Sequence, residues 1–189
     1  YMWLMSGKST TAGVWTGEYY YSDVWKSSDG LRWIQVTSNS VVKGNHGPAY
    51  TVHNNKMYLF PGSYNPATYS STDGKQWNSE TNVPRISCDE VFGADAAVFK
   101  NKIWVSGGVT YIGCGKRYLS DVFSYDGIMW AKHTASWPGR HYHKIVEFND
   151  KLWVMGGYNG GAMNDVWSSG DGINWKQSST PPWSARYLH

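Results

Sequence analysis

Four short apolar runs recur along the chain without the polar alternation of a half-exposed strand: Met2-Trp3-Leu4-Met5, Met57-Tyr58-Leu59-Phe60, Ile103-Trp104-Val105 and Leu152-Trp153-Val154-Met155. Such runs predict strands covered on both faces, and they are too short for buried helices. Three are preceded by turn residues, Asn54-Asn55-Lys56, Asn101-Lys102 and Asn149-Asp150-Lys151. Before those turns lie further strand candidates, Ala49 to Val52, Ala96 to Phe99 and Lys144 to Phe148. Downstream of each apolar run comes an aromatic triplet: Asp23-Val24-Trp25, Ala67-Thr68-Tyr69, Asp121-Val122-Phe123 and Asp165-Val166-Trp167. No stretch has the period of an amphipathic helix.

Every triplet leads into one phrase, Ser-x-Asp-Gly-x-x-Trp, written four times and centred on Asp29-Gly30, Asp73-Gly74, Asp126-Gly127 and Asp171-Gly172. Asp-Gly between aromatic and β-branched runs predicts a tight hairpin, since glycine takes the positive φ the turn demands. The four Asp residues are 44, 53 and 45 positions apart, which marks a repeat architecture. A three-residue loop would close Ser27 on Leu31 and set Trp25 across from Trp33, Tyr69 across from Trp77 and Trp167 across from Trp175. Phe123 stands one residue nearer its Asp, so the third repeat predicts a bulge or a shifted pair.

Each unit therefore holds up to four antiparallel strands, the pattern of a β-propeller blade. The fold class is all-β, a propeller of four-stranded antiparallel blades with about four repeats present. Residues 1–189 form a single region with units near 1–36, 45–80, 93–133 and 137–178, and 179–189 open a further repeat or close the ring. Trp183-Ser184-Ala185-Arg186-Tyr187-Leu188-His189 rewrites Trp137-Pro138-Gly139-Arg140-His141-Tyr142-His143, the approach to a first strand. We expect the units to be part of a larger ring, with a closed four-bladed ring as the alternative.

Glycines follow the second strand at Gly7, Gly62, Gly107-Gly108 and Gly156-Gly157. With these and the spaced aromatics, the chain resembles the kelch-repeat family, whose blades are also found in galactose-oxidase-like enzymes. The match is strongest from Arg140 to Trp175 and weakens in the second unit, where Pro61-Gly62 replaces the glycine pair. The hairpin phrase is similar to the Asp-box of sialidases, shorter by one residue between Asp and Gly. In both families this turn is a folding device, so the resemblance implies a structural role for its carboxylates.

Composition narrows the function. Hydrophobic residues make up 41% and charged residues 16%, with 12 Trp and 14 Tyr, as repeated packed sheets require. A net charge of +3 from 17 basic and 14 acidic residues argues against a nucleic-acid or anionic-membrane partner. No apolar run is long enough for a spanning helix, so no membrane insertion is expected.

Candidate chemistry is sparse. Cys88 and Cys114 fall in connections that emerge on the same blade face and are candidates for a disulfide, two separate thiols being the alternative. A bridge would favour an extracellular or cell-surface setting over a cytoplasmic one. His141 and His143, two apart on a presumed strand, would share a face and could ligate a metal. Their recurrence with Arg140 as Arg186 to His189 favours a structural role, so no metal and no cofactor is assigned.

A sialidase-like hydrolase needs convergent arginines, a Tyr nucleophile with a Glu, and an Asp acid, and Arg32, Arg85, Arg117, Arg140 and Arg186 show no such context. Recognition fits best in the irregular loops after the second strands, with Tyr19, Tyr64, Asn65, Tyr111, Arg117, Tyr158 and Asn159 as binding candidates. The same loops hold Trp15, Tyr20, Tyr21, Lys116, Tyr118 and Met163. The expectation is a non-catalytic module that binds a protein or glycan partner. The alternative is a propeller enzyme of the glycoside-hydrolase or galactose-oxidase-like kind.

Overall fold

The computed structural model describes residues 1–10, 18–40, 47–60, 67–80, 91–111 and 115–189, with backbone alone at 8–10, 18 and 19. Among the described residues there are nineteen strands and no helix. The first unit contains β1 (Met2–Met5), a side ribbon of β2 (Lys8–Thr10) and β3 (Glu18–Tyr20), then β4 (Val24–Ser27) and β5 (Ile34–Thr37). The second contains β6 (Tyr50–His53), β7 (Lys56–Leu59), β8 (Tyr69–Ser71) and β9 (Asn78–Ser79). The third contains β10 (Asp95–Phe99), β11 (Lys102–Ser106), a ribbon of β12 (Val109–Thr110) and β13 (Arg117–Tyr118), then β14 (Asp121–Tyr125) and β15 (Trp130–Thr134). The fourth contains β16 (Lys144–Phe148), β17 (Lys151–Met155), β18 (Val166–Ser169) and β19 (Lys176–Gln177).

Units two to four are four-stranded meanders in chain order, and unit one is a three-stranded sheet of β1, β4 and β5. All the pairs are antiparallel. The hairpins joining first and second strands close on Asn54-Asn55, Lys100-Asn101 and Asn149-Asp150, all with positive φ of 48° to 59°. Two consecutive left-handed residues match the twist of the flanking strands, which explains the Asn and Asp found there. Beside the free edge of β1 lies a groove of about 470 Å³, bounded by Trp3, Met5, Tyr50, Met57 and Tyr58.

The blades stack in chain order through three apolar layers. Trp3 and Met5 pack on Met57, Leu59 and Trp77. Tyr58 and Phe60 pack on Ile103, Val105, Tyr125 and Trp130. Ala97, Phe99, Trp104 and Val122 pack on Leu152, Val154, Trp167 and Trp175. In units two and three the second-strand residues face the preceding and the following unit in turn, so those apolar runs lack polar alternation.

The Asp-Gly hairpins join third and fourth strands as expected, but their register does not. Trp25 pairs with Gln35, Tyr69 with Ser79 and Trp167 with Gln177, not with the tryptophans two positions earlier. The cause lies in side chains. The hydroxyls of Ser27, Ser71 and Ser169 accept the glycine N–H at 2.8 Å, while Oδ1 of each Asp accepts the next two N–H groups at 2.7–2.9 Å. The tryptophan then folds back and donates its indole N–H to the glycine carbonyl, at 3.3, 3.0 and 3.1 Å. The closed loop spans the whole phrase, and the ladder resumes only after the tryptophan.

The third repeat departs from this, as its sequence predicts. Ser124 Oγ is engaged with His133 at 3.1 Å, and Trp130 pairs directly with Tyr125, shifting the ladder by one residue. The bulge itself occurs in the first unit, between Val24 and Trp25.

Candidate functional site

The paired glycines explain how the loop face is built. Gly107 and Gly156 have φ of 63° and 59°, and a Cβ there would meet the carbonyls of Arg140 and Arg186 at 2.6 and 2.8 Å. The following glycines donate to those same carbonyls, Gly108 at 2.8 Å and Gly157 at 2.9 Å. The segments at Arg140 and Arg186 therefore cross the loop of the preceding unit with backbone against backbone. That crossing brings the connections into contact with the loops after the second strands.

His141 and His143 do not share a strand face. Tyr142 between them has a φ of 52°, which turns their side chains apart. His143 is buried, 2.9 Å from the Ser106 hydroxyl, and burial lowers its pKa to about 3, with nearby Arg140 adding to the effect. His141 turns to the loop face, where its Nδ1 lies 3.1 Å from the Tyr158 carbonyl. Burial is the main cause that holds its pKa below the usual imidazole value. Among the described residues no three His, Cys, Asp or Glu side chains gather as a metal site.

Around His141 the loop face is aromatic. Tyr118 stacks on it with ring centres 5.4 Å apart, Tyr158 meets it edge-on at 5.5 Å, and Tyr187 meets Tyr158 at 5.2 Å. On the other side Phe92 and Tyr111 stack at 5.0 Å. The Lys116 ammonium joins the two groups, 5.8 Å from the Tyr111 ring and 5.2 Å from that of Tyr118. Its pKa is raised, chiefly by the Tyr118 hydroxyl. That hydroxyl is buried and makes no bond of normal length, so its contact with the lysine is a long one. Arg117 and Asn159 are exposed at the margin, Asn159 in a tight turn closed by its N–H on the Gly161 carbonyl at 3.0 Å.

Of the binding candidates, Tyr111 and Tyr158 lie in this patch and Arg117 and Asn159 border it. Tyr19 contributes a described backbone in β3, while Tyr64 and Asn65 lie outside the described residues. Cys88 and Cys114 lie outside them as well. Sequence reasoning missed Phe92, Tyr142 and Tyr187, which reach the patch from connections and not from loops after second strands. The signal was present for Tyr187, because the repeat of Arg140-His141 as Arg186-Tyr187 places it at the position of His141.

The repeated carboxylates are structural. Backbone N–H donors, led by those of Arg32, Gln76 and Met129, hold Asp29, Asp73 and Asp126 below the ordinary carboxylate value. An aspartate saturated in this way is a poor proton donor. Behind the patch, buried Arg140 donates to Asp165 through Nη1 at 2.6 Å and Nη2 at 2.7 Å, and to the Gly156 carbonyl at 2.9 Å. Burial pushes the Asp165 pKa up, but the bonds from Arg140 and Trp167 outweigh it and the carboxyl sits below its usual range.

Stacked four-stranded meanders that hold an aromatic loop face define the blades of a β-propeller. Residues 139–168, in the fourth unit, match the family model of the Kelch motif. Among solved structures the chain is similar to the structure of YjhT, with a TM-score of 0.63 and 18% identity over 76% of this chain and 52% of that one. The matched part thus spans about half the length of that relative. No curated protein matches the chain.

Proposed function

We propose that the chain is a non-catalytic recognition module that holds a protein or glycan ligand on its tyrosine-rich loop face. The observation that carries this reading is the continuous patch of Tyr111, Tyr118, His141, Tyr158 and Tyr187 with Lys116 among its rings. Rings of this kind offer rigid apolar area at low entropic cost, and Lys116, Arg117 and Asn159 supply donors for hydroxyl or carboxylate oxygens. The Trp-rich, charge-poor composition supports an extracellular or cell-surface setting.

The test is binding to a glycan array and to immobilised candidate proteins, with Tyr111→Ser and Arg117→Ser as comparators. Saturable binding that both variants weaken by about tenfold, roughly 1.4 kcal/mol, supports the reading. Turnover of a sialoside, or bound copper with oxidase activity, would replace it with the enzyme alternative.

A further inference from the structure

Five bonds in the chain join an aspartate or asparagine to a following glycine: the four Asp-Gly hairpins and Asn159-Gly160, the one asparagine so placed. In such a pair the glycine peptide nitrogen can attack the preceding side-chain carbonyl carbon, because glycine has no Cβ to obstruct the approach. The fold treats the five bonds very differently.

At Asp29, Asp73 and Asp171 both reacting groups are tied down. The N–H of Gly30, Gly74 and Gly172 donates to the serine hydroxyl of the phrase at 2.8 Å, which opposes loss of its proton. Oδ1 of each aspartate accepts two further N–H groups, so the carboxyl stays an anion and a poor electrophile. The third repeat is half restrained. Ser124 is engaged with His133 and leaves the Gly127 N–H without a bond among the described residues, but Ile128 and Met129 still hold the Asp126 carboxylate.

Asn159-Gly160 has neither restraint. It tops the turn between Tyr158 and Ala162, which bridge each other, and residues 159 to 161 are all exposed. The turn closes through the Asn159 N–H on the Gly161 carbonyl at 3.0 Å, and among the described residues the Asn159 amide group and the Gly160 N–H bond nothing. Gly160 has a φ of 75°, and a Cβ there or at Gly161 would meet no atom within 4 Å, so nothing crowds the approach. The side-chain amide is also neutral, unlike the four carboxylates, and carries ammonia as a leaving group.

We infer that Asn159-Gly160 is a self-modifying site, at which the folded chain converts an amide into a carboxylate on its loop face. The Gly160 peptide nitrogen gives up its proton to base and bonds Cγ of Asn159. The Cγ–Nδ2 bond breaks, and ammonia leaves with that proton, forming a cyclic imide. Water then opens the imide at one of its two carbonyls. Breaking the new bond to Cγ gives an ordinary aspartate, and breaking the original peptide bond gives isoaspartate, whose main chain runs through the former side chain. Either product sets a negative charge on the face that carries Lys116 and Arg117. Isoaspartate also lengthens the turn that holds Tyr158, whose backbone exchanges bonds with His141 at 2.9 and 3.2 Å. The conversion needs no ligand and is independent of the recognition reading above.

The test is incubation of the full chain, folded and in guanidinium chloride, at neutral and mildly alkaline pH. Products are read by peptide mapping and by labelling with an isoaspartate-specific methyltransferase. Aspartate and isoaspartate should accumulate at residue 159 of the folded chain, faster as pH rises, at a rate within about tenfold of that in the denatured chain. The three serine-clamped hairpins should form isoaspartate only when denatured, with Asp126 intermediate. Asn159→Gln, which would have to close a larger and slower-forming ring, should lose the acidic species on isoelectric focusing. Reaction at Asn159 more than about tenfold slower in the folded than in the denatured chain overturns the proposal. So does an acidic species that persists in Asn159→Gln, or isoaspartate that forms in the folded chain as fast at the clamped hairpins as at residue 159.

Discussion

Trp175 donates its indole N–H to the Gly172 carbonyl 3.1 Å away, so the ring closes beneath the turn that introduces it while it meets Trp137 in a T-shaped contact, ring centres 6.0 Å apart. Trp175→Ala removes a buried ring and the closure of the hairpin together. A loss of about 3–5 kcal/mol is expected in urea denaturation. Trp33, the same position in the first blade, is 40% exposed against 7% for Trp175, so Trp33→Ala should cost clearly less. Equal losses at the two sites would contradict the difference in packing.

The Arg140 to Asp165 pair is the next target. Asp165→Asn leaves a buried guanidinium without its counter-charge, and breaking such a pair costs about 3–5 kcal/mol. The carboxyl is depressed in the folded state, so its contribution is present above about pH 4, the unfolded value, and fades as pH falls through the lower folded one. The Asn variant should therefore show its largest deficit near neutrality and converge with the parent in acid.

His143 gives a separate acid-side slope. Its folded pKa is about 3, so between that value and the unfolded 6.5 the unfolded chain binds a proton that the folded one refuses. Stability should fall by about 1.4 kcal/mol per pH unit as pH drops through this window. His143→Gln should flatten the slope, whatever it does to stability at neutral pH. An unchanged slope would mean that another group sets it.

Two glycines of the same phrase should respond differently. Gly172 has a φ of 79°, and a Cβ would run into the Trp104 ring, whereas Gly127 has a φ of 100° with nothing within 4 Å. Gly127→Ala carries only the left-handed strain of about 1–2 kcal/mol. Gly172→Ala adds an overpacking cost of about 1–3 kcal/mol. Thermal denaturation of the two variants should show the larger drop for Gly172→Ala.

Much of the fold was legible because it is written in local chemistry. The Asn turns, the apolar runs and Asp-Gly each act within a few residues, and β16 at Lys144–Phe148 has the predicted bounds. The hairpin register was not legible, because an alternation rule counts backbone positions while Ser27 and Asp29 close the loop with side-chain bonds. The histidine pair failed at Tyr142, whose left-handed backbone comes from the crossing over the glycines and has no mark of its own. Half of the site was visible as loop tyrosines. Phe92 and Tyr187 arrive from other units, and their contacts depend on how blades stack.

The glycine pairs carry one more consequence. Because Gly108 and Gly157 bind the crossing connection through main-chain atoms, those bonds do not depend on the side chains carried by the loops above it. Loops such as 111–118 can then diverge, lengthen or be exchanged without renegotiating the joints. A chain built this way can acquire new specificities at little risk to its folding, which makes the loop face a natural place to graft a chosen binding surface.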